Sequence, residues 1–470
     1  MKKEDEMNAL ATTGMPTENR FLTGLFAPVT EEITAFDLPV TGRLPAELNG
    51  RYLRNGPNPM SLADPNYHWF VGSGMVHGVR LRNGRAEWYR NRWVRSKAVA
   101  ESLGEKWKSG PIHNGMDFAA NTHIISHAGH TLATVEAGPL PYELTDELDT
   151  IGPCDFAGTV PAGFAAHTKA DRRTGELHAI AYSFRRENVQ HVVIDSTGKV
   201  SRVTEIVVAD KPMMHDFALT ERYVVLYDLP VTFSMDAVSA GRELPYVWNP
   251  KHEARVGLLR RDASSVDVRW FAVDPCFIFH TLNAYDDGDR VVVDMCHYEG
   301  SYDVSLLKGP GPVTLDRWII DPTAGKVIQK RLDERFQEFP RVDERVVGRQ
   351  HRYGYSTVIE EVRQAVVSPS GHFANTAFAN VLYKHDLAAG TVEAHNFGRG
   401  AAAGEAVFAP ASPDAAEDDG YVMAFVHSLD RGATDLVVLA AQDFTGEPVA
   451  RVHLPTWVPL GFHGSWIADR

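Results

Sequence analysis

Four of the 20 histidines in this 470-residue chain sit in an unusual setting. His167 lies in PAGFAAHTKA, His215 in MMHDFALT, His280 in CFIFHTLNAY and His463 in PLGFHGSWI. Each is a lone imidazole beside small or aromatic residues, at the start or end of a strand-like run. An imidazole so placed is either a hydrogen-bonded core residue or a metal ligand. Brought together, four neutral imidazoles would form a metal site with no carboxylate on the ion. Spacing alone does not select these four. His178, His191, His385, His395 and His453 sit in or beside alternating strand patterns and read as surface or half-buried residues. His123, His127 and His130 in NTHIISHAGH read as a polar strand and turn, with a metal tract as the alternative.

The elements that must position such residues are short strands. An aspartate, a few polar or small residues and a glycine recur before a β-rich run: Asp171–Gly175, Asp195–Gly198, Asp321–Gly325, Asp386–Gly390 and Asp443–Gly446. The glycine supplies the positive φ that a short hairpin loop needs, and the aspartate side chain can cap the turn. Asn83-Gly84 reads as a tighter hairpin of the same kind. Helix candidates are few and short, notably 142–149 and 331–336. Many hairpins over so long a chain, with no Pro- or Ser-rich linker, point to an all-β protein of propeller type, with paired sandwiches as the alternative. In a propeller, inner-strand ends from different blades converge on the axis, where scattered histidines could meet.

Composition narrows the function. A net charge of −14 argues against a nucleic-acid partner. Three cysteines (Cys154, Cys276, Cys296) form no CxxC pair, so neither a disulfide framework nor a structural zinc is expected, and a reducing, cytoplasmic setting fits. Residues 1–20 read as a loose tail without the apolar core of a secretory signal, and 21–470 as a single catalytic unit. No apolar run is long enough to span a membrane. His252-Glu253 lacks the second histidine of HExxH, no GxSxG or P-loop occurs, and Gly72-Ser73-Gly74 reads as a tight turn.

The chain resembles the carotenoid cleavage oxygenases. The likeness runs from NGRYLRNGPNP (49–59) through HWFVGSGMVHG, NTHIISHAGHTLATVEAGPLPYEL, MMHDFALT, FHTLNAYDDG, QEFPRVD and GEAVFAP to GFHGSWI (461–467). The resemblance implies a seven-bladed β-propeller capped by loops and short helices over an axial Fe(II). It implies iron ligands at His167, His215, His280 and His463. It further implies supporting glutamates at Glu136, Glu338 and Glu405, and a threonine near the open coordination position at Thr122. The implied reaction turns O2 and a conjugated C=C bond into two carbonyl products without an organic cofactor. An iron-dependent isomerase would share the same ligands. A calcium-dependent propeller hydrolase would need clustered carboxylates instead.

Trp69, Phe70, Phe279 and Trp466 are expected to line the substrate tunnel, with Met213 and Met214 packing near the metal and Asp216 serving a turn. Relatives acting on hydroxystilbenes or isoeugenol carry a lysine directly before the first of these glutamates, where this chain has Val135. A valine cannot hydrogen-bond a phenol, which favours a carotenoid or apocarotenoid over a stilbenoid or phenylpropanoid. The segment Ser234–Glu243 is short where many carotenoid-cleaving relatives carry a membrane-docking insertion, so at most peripheral membrane contact is expected. Ser73 stands where the family has an aspartate.

Overall fold

Four of the five Asp…Gly stretches close two-strand hairpins as read. Asp195 Oδ1 accepts from the backbone N–H of Thr197 at 2.8 Å and Lys199 at 3.1 Å, and the Asp171, Asp321 and Asp386 carboxylates cap their own turns in the same way. Asn83 (φ 50°) and Gly84 (φ 70°) both adopt the left-handed region that a tight two-residue hairpin demands. The fifth stretch differs: Ala441–Asp443 forms a 3-10 turn before the chain returns at Ala450–His453.

The computed structural model describes residues 19–62, 64, 67–112, 117–160, 163–262, 267–304, 309–358, 380–428 and 431–469. The expected tail, 1–20, lies outside them except for Asn19 and Arg20. Asn19 caps the 3-10 turn Arg20–Leu22 and donates to the Tyr67 carbonyl at 2.8 Å.

The hairpins assemble into a seven-bladed propeller. Blade one runs outward from Gly464–Ala468 through Gly50–Pro57, Gly74–Arg82 and Arg85–Trp93 to Thr34–Phe36. Its innermost strand is therefore the chain's last, while the early strand Val40–Gly42 edges blade seven against Ala450–His453. The ring is closed by both ends of the sequence. The other inner strands are His123–His127, Thr168–Asp171, Ala218–Leu219, Thr281–Asp287, Glu338–Arg341 and Val407–Pro410. Residues of all seven inner strands line one axial channel of about 720 Å3. A ribbon outside the blades, Val231–Phe233 paired with Tyr246–Trp248, belongs to the cap.

Burial explains several departures from the sequence reading. Tyr142–Leu144 and the residues around Arg331 are strand, not helix. Tyr142 and Leu144 both turn inward, a period-two burial that a helix cannot provide. The α-helices among the described residues, Lys97–Ser102 and Met235–Ser239, start at Ser96 and Ser234, whose hydroxyls accept from Val99 and Ala237 N–H. His178, His191, His385 and His395 are buried rather than on the surface. Each has a hydrogen-bond partner: His178 and His191 stack and join at 3.0 Å, His385 meets Gln337 at 2.8 Å, and His395 meets the Phe444 carbonyl of the next blade at 2.9 Å. His453 is half-buried as read.

His252 carries a pH signature. It lies between Asp210 Oδ2 at 3.0 Å and Asp228 Oδ1 at 2.7 Å, with Arg255 on the far side of Asp228. Burial disfavours the charged imidazole, but the two carboxylates outweigh it and raise His252 above its ordinary value. A raised folded-state pKa stabilises the fold fully below the unfolded value and loses that stabilisation as pH rises through the folded one. The expected thermal midpoint therefore falls as pH rises above about 6.5, more steeply in the unaltered protein than in His252→Gln. Parallel slopes would contradict this.

Candidate metal centre

Every inner strand brings one chemically competent residue to the axis. His463 precedes blade one's strand, Thr122 blade two's, His167 blade three's and His280 blade five's. His215 stands just ahead of Ala218–Leu219 and Glu405 just ahead of Val407–Pro410, while Glu338 opens Glu338–Arg341. The third carboxylate, Glu136, follows strand His130–Thr134 of blade two.

The four imidazoles converge, one nitrogen from each lying within 4.8 Å of all the others. His167 Nε2 is 3.0 Å from His215 Nε2, which is 3.3 Å from His280 Nε2. Metal–nitrogen bonds of about 2.1 Å put adjacent donors about 3 Å apart, so these separations suit one cation. Carboxylates fix the opposite ring faces: His280 Nδ1 donates to Glu338 Oε2 at 2.5 Å and His463 Nδ1 to Glu405 Oε1 at 2.8 Å. With Nδ1 protonated, Nε2 turns a lone pair to the axis, and such lone pairs repel unless a cation lies between them. Burial, then the neighbouring imidazoles, holds His167 and His463 well below the ordinary histidine range. Burial opposes charging of His280 as well, but Glu338 outweighs it and raises that ring. Around Glu136 the fit is looser. Its Oε2 lies 3.5 Å from His215 Nδ1, and that nitrogen and Glu136 Oε1 are buried without partners. The residues present fit a divalent metal with a taste for imidazole.

Each carboxylate is itself held by a residue that the sequence did not single out. Tyr182 Oη donates to Glu136 Oε2 at 2.6 Å, Tyr298 Oη to Glu338 Oε1 at 2.9 Å and Arg341 to Glu405 Oε2 at 2.8 Å. Arg341 was visible inside QEFPRVD, but its partner is 64 residues away; the tyrosines carry no local signal at all. Ala137 (φ 62°) and Phe339 (φ 51°) follow two of the glutamates in left-handed conformations that Cβ-bearing residues rarely adopt, which marks backbone bent to aim those carboxylates.

Asp216 does not serve a turn. It is buried, meets Lys169 Nζ at 2.9 Å and accepts from Thr281 N–H at 2.8 Å. Lys169, Asp216 and Thr281 neighbour His167, His215 and His280 in sequence, so the contact latches three blades beneath three imidazoles. Burial would raise this carboxyl, but Lys169 prevails and holds it below its ordinary value.

On one side His215, His280 and His463 border an apolar cavity of about 190 Å3. Trp69, Phe70, Val135, Phe279 and Met213 line it, and Thr122 faces it with its hydroxyl donated to Asn121 Oδ1 at 3.0 Å. The Gly72-Ser73-Gly74 turn supports this wall. A Cβ on Gly74 would fall 2.1 Å from the Ala120 carbonyl oxygen, so only glycine lets the turn press against the loop that presents Thr122. Met214 is buried in the surrounding core but does not line the cavity. Trp466 is a correction. Strand alternation turns it away from the cavity, against Gly50 and the outer core, and it borders the polar axial channel instead. His123 also borders that channel, its ring 5.3 Å from His463 but outside the converging set. His127 and His130 bond the Asp195 carbonyl and Glu143, as a polar strand and turn would.

A propeller with imidazoles gathered on its axis beside an apolar cavity defines a class of metal-dependent enzyme. Residues 26–468 match the Retinal pigment epithelial membrane protein (RPE65) family. A carotenoid cleavage oxygenase of Mycobacterium tuberculosis is 44% identical, the match covering 96% of this chain and 98% of that protein. An isoeugenol monooxygenase of Pseudomonas putida is 32% identical over 95% and 97%. Among solved structures, a Pseudomonas brassicacearum lignostilbene dioxygenase superposes with a TM-score of 0.85 at 29% identity, covering 96% and 98% of the two chains. A variant of Synechocystis apocarotenoid oxygenase gives 0.81 at 26%, covering 95% and 98%. The chain belongs to the carotenoid cleavage oxygenase family and is an alkene-cleaving oxygenase. Among the described residues no helix is long and apolar enough to cross a membrane.

Proposed function

We propose that the protein is an iron(II) dioxygenase that cleaves a conjugated C=C bond of a carotenoid or apocarotenoid. The observation that carries this reading is the four-imidazole cluster opening onto an apolar cavity with Val135 in its wall. His167, His215, His280 and His463 would hold the iron, with Glu136, Glu338 and Glu405 fixing ring tautomers and returning negative charge to a buried cation. Bound iron(II) supplies the one-electron chemistry that lets ground-state O2 react with an alkene. In the balance, the C=C and O–O bonds break and two C=O bonds form, so no external reductant is consumed.

The chain's own residues do the rest. Phe279, 5.0 Å from the His215 ring, and Phe70 exclude water from the reacting bond. Thr122 narrows the cavity beside the imidazoles. The three free cysteines suit a reducing cytoplasm, and the short helix Met235–Ser239 in place of a longer insertion suits at most peripheral membrane contact.

A second reading, cleavage of a stilbenoid or phenylpropanoid, is favoured by the superposition on a lignostilbene dioxygenase. Aerobic incubation of iron-loaded protein with an apocarotenal and with resveratrol, products weighed by mass spectrometry, separates the two. Aldehydes from the apocarotenal alone are expected. Cleavage of resveratrol alone would overturn the substrate assignment and leave the chemistry intact.

A further inference from the structure

The cap ribbon brings four consecutive residues, Glu243, Leu244, Pro245 and Tyr246, to the cavity wall. Tyr246 is 3% exposed, and its hydroxyl has no hydrogen-bond partner. A buried phenol is nearly always paired, because its O–H is costly to take from water unanswered. The Tyr355 hydroxyl is also unpartnered, but it borders neither the apolar cavity nor the axial channel. Tyr246 alone of the two faces a space that a ligand can fill.

Its ring cannot easily turn to seek another partner. The Tyr182 and Phe233 rings each meet it edge-on at 6.2 Å, and Phe233 is stacked in turn on Phe184 at 5.4 Å. Tyr182 donates its own hydroxyl to Glu136, and no hydrogen bond joins it to Tyr246. Tyr246 therefore stands one residue away from the carboxylate layer around the imidazoles, an unpartnered phenol in the wall of a largely apolar chamber. On the same segment, Glu243 accepts from the His68 backbone N–H at 3.0 Å with one carboxylate oxygen, keeping the other for a donor.

We propose that Tyr246 recognises an oxygen on the substrate, so that the alkene carries a carbonyl or hydroxyl group on the arm that runs beneath the cap ribbon. This rests on the alkene-cleavage reading and narrows it: an unfunctionalised hydrocarbon is a poor ligand, and an oxygenated one is preferred. Val135 offers the substrate no polar group, so polarity is read at the cap rather than there.

The test compares matched ligands that differ only in the oxygen: an apocarotenal against the hydrocarbon with methyl in place of the aldehyde, and 4-hydroxystilbene against stilbene. Binding to the full-length, iron-loaded protein is followed without O2 by quenching of tryptophan fluorescence, Trp69 being in the cavity wall. The expected result is that one oxygenated ligand binds about tenfold tighter than its partner. Tyr246→Phe should abolish that preference while leaving hydrocarbon affinity within about twofold. The variant's thermal midpoint should be unchanged or higher, since it removes an unanswered hydroxyl.

A preference that survives Tyr246→Phe, no preference in either pair, or a lowered midpoint overturns the proposal. Aerobic product analysis on the same ligands separates it from the reading beneath it. Cleavage of oxygenated and hydrocarbon ligands alike sinks the proposal and keeps the reaction. A Tyr246-dependent preference with no cleavage keeps the proposal and sinks the reaction.

Discussion

His280→Ala is expected to lose its iron. After loading with Fe(II) and desalting, the unaltered protein should hold close to one iron per chain, and the variant should bind at least about 100-fold more weakly. Alkene cleavage should fall by at least about 1,000-fold, equivalent to several kcal/mol of metal-dependent transition-state stabilisation. The imidazole is central on both sides: its Nε2 lies 3.3 Å from that of His215, and its Nδ1 meets Glu338 at 2.5 Å. The fold should survive. The propeller is closed by strand pairing between Gly464–Ala468 and Gly50–Pro57, far along the chain from this residue. The carboxylate left behind keeps Tyr298 as a donor, so a loss of stability of about 1–3 kcal/mol is the expected ceiling. Metal content and thermal midpoint read those two effects separately. A variant that keeps its iron would show that the imidazole packs rather than ligates.

Glu338→Gln should give the second-largest effect, a loss of about 10–100-fold in iron affinity with the ligands untouched. The glutamine oxygen can still accept from His280, so the ring keeps its tautomer and position. What disappears is the negative charge beside a buried cation, in a site whose four imidazoles bring none. Glu405 would be a poorer choice for isolating this effect. Arg341 sits on it at 2.8 Å, so removing that charge also takes one of two carboxylates from a buried guanidinium and mixes metal loss with lost stability. Glu338 bonds only a tyrosine, its own chain and the imidazole. An iron dissociation constant equal to that of the unaltered protein would mean the carboxylate orients the ring and adds no charge stabilisation.

The sequence carried the turns better than the blades. Asp195 and Gly198 declare a hairpin because both requirements, a side-chain cap and a positive φ, lie within four residues. Blade number was not legible, since the axial residues recur irregularly: 48 residues separate His167 from His215, 65 separate His215 from His280, and 58 separate His280 from Glu338. Inner strands also range from the two residues Ala218–Leu219 to the seven of Thr281–Asp287, too uneven for a period to emerge.

The histidines divide in the same way. Strand alternation marks faces and read His178 and His191 as surface or half-buried, but in a propeller both faces of a blade are covered by its neighbours. Neither Trp466 nor Asp216 could be read locally. Trp466 depends on which face of the closing strand looks outward, and Asp216 depends on Lys169 from another blade. The roles of Tyr182, Tyr298 and Tyr246 were not legible in the sequence, because each matters only through a contact or a missing contact that folding creates.

The most direct single measurement is the mass balance of the reaction itself. Iron-loaded protein is incubated with an apocarotenal under isotopically labelled O2, and every carbon-containing product is weighed. The expected result is two carbonyl fragments whose masses sum to the alkene plus one O2, formed only when iron is present. A product of unchanged mass, isomerised and whole, would contradict alkene cleavage by this propeller.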